Sequence, residues 1–244
     1  MAALVEQDSA KAARILTVAQ ELVLKRGVKG VTVAEIAEKA HVGKGTVYLY
    51  WGTKEDLLVG LFAREFLAVV EGSIDALTTD PDAARPHRLC PQLIHNGLER
   101  PFVRALQTGD SDLLGVLTQH PRSTELLGTL GPAALMYTVL PVWRQHRLAR
   151  TDWPLEEQAY ALQALMAGFL ETTTRAHTLR EVTVDAPDKV IAASVTALLG
   201  PGEATPDDVR ATADEGLRLL REKRELVLAS LTGDHDSGQE TGQG

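Results

Sequence analysis

Cysteine occurs once, at Cys90, so no internal disulfide can form and no cysteine cluster can hold zinc. Aromatics are scarce: three Trp, four Tyr and four Phe in 244 residues. No apolar run approaches the roughly 18 residues that span a bilayer, which excludes a membrane-crossing role. The start, "MAALVEQDSAKAARIL", mixes acids with apolar residues and makes a poor signal peptide. A cytoplasmic protein in a reducing compartment is expected. Apolar/polar alternation with period two is nearly absent, so no sheet is expected. The histidines at 41, 87, 95, 120, 146, 177 and 235 are scattered, without a His-Glu-x-x-His pair, a phosphate-cradling glycine loop or a nucleophile elbow. Neither an enzyme, nor a metal site, nor a cofactor is expected.

Acidic residues are locally missing too. None lies between Lys39 and Lys54, although the chain as a whole carries net charge −8. Residues 1–58 hold eight cations against seven acids, while the remainder holds 17 against 26. Six of the eight lysines fall in the first 54 residues. Lysine is a strongly hydrated point charge suited to phosphate. A neutral-to-basic head on an acidic body is therefore expected. Within the head, "HVGKGTVYLYWGTKEDLL" (41–58) gathers Tyr48, Tyr50 and Trp51 beside Lys44 and Lys54.

Helical spacing dominates. Ile15, Val18, Ala19, Leu22 and Val23 put one apolar face on a helix over 9–26, stopped by Gly27. Thr32 with Glu35 three residues on is a capping box opening a short helix over 33–40. "HVG" turns the chain into a third helix over 44–50, broken by "WGT". Thr53 caps a fourth helix, with Glu55 and Asp56 matching its N-terminal dipole. Two short helices joined by three residues form a helix-turn-helix plan. The third helix has Val47 as its one clear core anchor; Lys44, Gly45, Thr46, Tyr48 and Leu49 suit a groove better than a core. Further helices are expected over 87–100, 101–108, 111–119, 123–148, 155–179, 187–199 and 206–231, with a disordered tail over 232–244.

Residues 12–62, "AARILTVAQELVLKRGVKGVTVAEIAEKAHVGKGTVYLYWGTKEDLLVGLF", resemble the TetR family of bacterial transcriptional regulators. The matching positions include Gly27, Thr32, Ile36, Ala37, Val42, Gly45, Thr46, Tyr48, Tyr50, Lys54, Leu57 and Leu58. Trp51 stands where many members carry Phe. The resemblance implies an all-α chain: a three-helix DNA-binding head over 1–53, then a larger helical ligand-binding and dimerisation domain over 54–231. It implies a homodimer on a palindromic operator in double-stranded DNA. The usual role is a repressor released by a small molecule; an activator, or a ligand-independent binder of the same fold, stays open.

Within the head, Thr32 can offer its hydroxyl to a phosphate at a helix N-terminus. Lys44, Thr46 and Tyr48 should face the major groove or its rim, with Gly45 giving clearance and Leu49 on the same surface. Tyr50 is expected to give its hydroxyl to a backbone phosphate. Lys54, a cation in a helix's first turn, suits a nearby phosphate better than the helix dipole. Trp51 is expected to pack head onto body.

In the body, the family's last two helices form an intersubunit four-helix bundle. The fitting residues are Ala161, Leu162, Leu165, Gly168, Phe169 and Thr172, then Val190, Ile191, Ser194, Val195 and Leu198, with Ala164 and Ala167 allowing close approach. Residues 206–231 go past the family's nine helices and should dock on the body or on the partner. An apolar or aromatic effector is expected among Phe102, Leu106, Met136, Tyr137, Leu140, Trp143, Met166, Phe169 and Leu170. His95, Gln107, Gln163 or Thr173 would be its polar selectors, and Pro141 would kink the helix beside it.

Overall fold

The computed structural model describes residues 4–115, 117, 120–130, 132–174, 184–200 and 202–232. Among them every regular element is helical. The helices are α1 Val5–Asp8, α2 Ala10–Arg26, α3 Val33–Lys39, α4 Lys44–Tyr50, α5 Lys54–Thr79, α6 Pro86–Glu99, α7 Pro101–Thr108, α8 Ser111–Leu114, α9 Pro121–Leu130, α10 Pro132–Gln145, α11 Leu155–Thr174, α12 Pro187–Leu199 and α13 Pro206–Thr232. Two helices were not foreseen. α1 precedes the expected first helix, and the span expected as one helix over 123–148 comprises α9 and α10, with residue 131 between them outside the described residues. α8 stops early, at Gly115, whose φ is +55°. The end of the helix expected over 155–179 and the tail from 233 lie outside the described residues.

Local chemistry sets many helix ends. Three threonine boxes start helices: Thr32 with Glu35, Thr53 with Asp56, and Thr205 with Asp208. In each, the threonine hydroxyl accepts the third residue's N–H while the carboxylate returns to the threonine N–H. Two ends use a left-handed non-glycine residue. His41 has φ +53° and donates to Glu38, while Val42 donates to the Ala37 carbonyl at 2.9 Å. Arg147, at φ +61°, repeats the pattern after α10, with Leu148 donating to Trp143 at 2.7 Å. Both are Schellman ends in which glycine is the usual occupant.

The chain packs as two compact units. Among the described residues, the first comprises those within 4–68, 101–126 and 223–232; the second comprises those within 69–100 and 127–222. Packing thus divides the chain differently from the expected division at 53/54, because the first half of α5 and the segment 101–126 pack with the head. In the second unit, Cys90, Ile94, Met136, Leu140, Trp143, Leu162, Met166, Ile191 and Val195 form one buried core. The first seventeen residues of α13 belong there as well: Ala213 packs with Leu77 and Ala84, and Leu217 and Leu220 lie against them. Arg147 holds Asp208 at 2.5 Å and His146 lies 3.3 Å from Glu215. α13 therefore docks on its own chain.

Candidate nucleic-acid interface

α3 and α4 are fixed by a few buried anchors. Ile36, Ala37 and Ala40 of the first helix and its cap, and Val47 of the second, are at most 3% exposed. Arg14 of α2 reaches over and donates its Nε to the Ala40 carbonyl at 2.8 Å, which satisfies the end of α3 and holds the turn. Val47 is the one buried residue of α4. The rest of that helix faces out: Leu49 is 78% exposed and Tyr48 42%. Lys44, one helical turn before Tyr48, holds its ammonium 5.7 Å from the centre of the tyrosine ring. A Cβ at Gly45 would meet nothing within 4 Å. The protein's own packing therefore does not require glycine there. Thr46 is half-buried and Thr32 exposed. Beside Thr32, Arg26 bonds Glu35 and, with a smaller contribution from Thr32, holds its carboxyl below the usual range.

Two expected phosphate ligands have partners inside the chain. The Tyr50 hydroxyl lies 2.7 Å from Ser9 Oγ. The Lys54 ammonium donates to the Val28 carbonyl at 2.7 Å, in the turn between α2 and α3. That bond gives the cation in the first turn of α5 a partner within the chain. Trp51 is 7% exposed, and a Cβ at Gly60 of α5 would lie 3.5 Å from its Nε1. Its packing is thus against the neighbouring helix of its own unit.

The expected effector residues scatter. Met136, Leu140, Trp143 and Met166 share the core of the second unit, where the Trp143 indole donates to Ala84 at 2.8 Å. Phe169 is half-buried against that core, Leu170 is buried, and Gln163 is half-buried. Phe102 and Leu106 belong to the first unit, where Phe102 stacks on Phe62 at 4.8 Å. His95 faces out and pairs with Glu99 at 3.1 Å; Tyr137 is 54% exposed. Neither has the interior position expected of it. Thr173 is exposed and donates to Phe169 within its own helix, and the Gln107 side chain lies outside the described residues. Pro141 sits inside α10, which continues through it to Gln145.

The expected dimer residues divide as well. Leu162, Ile191 and Val195 are buried within their own chain. The exposed residues of α11 include Tyr160, Ala164, Ala167 and Gly168 beside Glu157 and Glu171; those of α12 include Val190, Ala193 and Ala197 beside Lys189 and Thr196. Tyr160, 72% exposed, had no signal in the sequence beyond its place one turn before Ala164.

Comparison with known proteins agrees with this geometry. The family model described as bacterial regulatory proteins, tetR family, matches residues 15–61. The fatty acid metabolism regulator protein of Bacillus subtilis is 28% identical over 189 residues, covering 68% of this chain and 95% of its own. The transcriptional repressor BepR of Brucella suis is 27% identical over 170 residues, 64% of this chain and 77% of its own. The reduced form of E. coli NemR superposes with a TM-score of 0.57 at 20% identity, covering 80% of this chain and all of that one. With α2, α3 and α4 in a helix-turn-helix inside the matched span, residues 15–61 form a DNA-binding domain of the tetR family of bacterial regulatory proteins, and the chain is a DNA-binding transcriptional regulator rather than an enzyme.

Proposed function

We propose that this protein is a homodimeric repressor of the cytoplasm that reads a palindromic operator and is released by a small apolar or aromatic molecule. The observation that carries the DNA part is the outer side of α4: Lys44, Tyr48 and Leu49 are exposed around a glycine that nothing in the chain crowds. Lys44, Gly45, Thr46, Tyr48 and Leu49 enter the major groove, and Thr32 offers its helix start to a phosphate. Two heads read half-sites about 34–36 Å apart, one helical turn. The open faces of α11 and α12 meet their copies across the two-fold. Small residues there favour close helix approach, and Tyr160 is 72% exposed among the described residues. Release follows from population shift: an effector that prefers a head spacing unlike that of the operator lowers affinity by its differential binding. The half-buried Phe169 and Gln163, beside the adaptable Met136 and Met166, offer mixed polar and apolar contacts in the second unit.

Selection of duplexes from a random library tests the reading. The expected result is an enriched palindrome whose binding weakens in Lys44→Ala, with the salt slope reduced by about one. Adding fatty acids, chosen because the Bacillus subtilis relative is a fatty acid metabolism regulator protein, or small phenols, chosen to match an aromatic effector, should release the duplex for one class. An enriched half-site without symmetry, or affinity indifferent to Lys44, would refute the proposal.

A further inference from the structure

α4 is seven residues long and has one buried side chain, Val47. So short a helix is poorly held by its own packing, and its orientation depends on its ends. At the far end, the Tyr50 hydroxyl shares a hydrogen bond with the Ser9 hydroxyl, 41 residues earlier. Ser9 is also the N-cap of α2, accepting the Ala12 N–H at 3.3 Å. One serine therefore joins the start of α2 to the end of α4.

Three residues before Ser9, Glu6 of α1 takes Arg64 of α5 in a two-pronged pair: Nε to Oε1, and Nη2 to Oε2 at 2.6 Å. Both side chains are less than a fifth exposed. The remaining guanidinium nitrogen, Nη1, donates to the Gly60 carbonyl at 2.8 Å. A Cβ at Gly60 would lie 3.1 Å from Arg64 Nη1 and 3.5 Å from the Trp51 indole nitrogen. Arg64 and Trp51, the C-cap of α4, thus share one glycine surface. A largely buried ion pair contributes little net stability compared with apolar residues of similar size. What a planar, bidentate pair does supply is a fixed geometry.

We propose that residues 5–9 form a clasp that sets the angle of the recognition helix. Glu6, Ser9, Tyr50 and Arg64 are its positioning residues, and the Tyr50 hydroxyl serves the clasp rather than a DNA phosphate. The inference rests on the DNA-binding reading above.

A double-mutant cycle on Ser9 and Tyr50 tests it, using a duplex enriched from a random library. Ser9→Gly removes the hydroxyl and keeps an acceptable N-cap; Tyr50→Phe removes only the oxygen. Each single change should weaken binding about 3- to 10-fold, the double no more than the weaker single, and the salt slope should stay that of the wild type. Glu6→Gln should weaken binding about threefold, also at unchanged slope. A readout without DNA accompanies these: hydrogen exchange at the amides of residues 47–51 should speed up equally in Ser9→Gly, Tyr50→Phe and the double. Losses that multiply in the double, or a flatter salt slope in Tyr50→Phe, would place the hydroxyl on a phosphate and overturn the clasp. Unchanged exchange, or Glu6→Gln binding as the wild type, would overturn it too. If the wild type enriches no duplex, the DNA reading fails while the exchange measurement still decides the clasp.

Discussion

The outer side of α4 and the open sides of α11 and α12 are both uncovered, and they are built to opposite rules. α4 offers a lysine, a glycine, a tyrosine and a leucine; α11 and α12 offer alanines, a glycine, a valine and one tyrosine among two glutamates and a lysine. The first suits a charged, grooved partner approached by backbone and cation. The second suits a partner approached by close helix contact, its small residues Ala164, Ala167, Gly168, Ala193 and Ala197 set among the charged Glu157, Glu171 and Lys189. Exposure alone does not identify a partner; the chemistry of the exposed side does.

The largest expected effect breaks the second face. Ala164→Arg puts a long cation on an exposed position, leaving each chain folded while forcing the copies apart. Sedimentation should then show a monomer, and operator affinity should fall by about 100-fold or more as the two heads lose their mutual effective concentration. A dimeric Ala164→Arg with intact affinity would move the interface elsewhere. A smaller effect sharpens the account of the first face. Lys54→Ala removes the ammonium from the Val28 carbonyl. It should cost about 1 kcal/mol, a fall in thermal midpoint of about 2–4 °C, while leaving the salt dependence of DNA binding intact. A flattened salt slope would return Lys54 to the phosphates. The smallest effect lies away from both faces. Thr205, and to a lesser extent Arg147, hold the Asp208 carboxyl below its usual range. A depressed carboxylate stabilises the fold at neutral pH, and that contribution is lost as pH falls through the lowered value. Asp208→Asn should thus lower the thermal midpoint at pH 7, with the gap to wild type closing on acidification. A gap constant with pH would show that Asp208 acts through packing alone.

The head was readable because its determinants are local. Thr32 with Glu35 and Thr53 with Asp56 sit three residues apart, and the three-residue turn at His41 closes on carbonyls within five residues. What sequence could not provide was the other end of each long-range bond. Nothing near Tyr50 points to Ser9, and nothing near Lys54 points to Val28, so the sequence offered both side chains only a DNA phosphate as partner. Glu6 and Arg64, 58 residues apart, carried no signal at all. The body was readable as helices but not as faces. Leu162 and Ala164 both lie on an apolar-rich helix, and only the packing of α10 and α12 decides that the leucine turns in and the alanine out. The effector residues were harder to place for a related reason: a Met or aromatic at helical spacing fills a core as readily as it lines a pocket.

Gly27 has φ +68°, and a Cβ there would lie 2.3 Å from the Asp112 carbonyl oxygen of α8. Close by, the Lys29 side chain lies along Gly115. The turn that feeds α3 is therefore moulded to a stretch of chain some 85 residues downstream. The DNA-reading head is not a cassette. Transplanting residues 1–53 onto the body of another regulator would bring the turn without its seat, and a functional chimera must carry residues 101–117 with it.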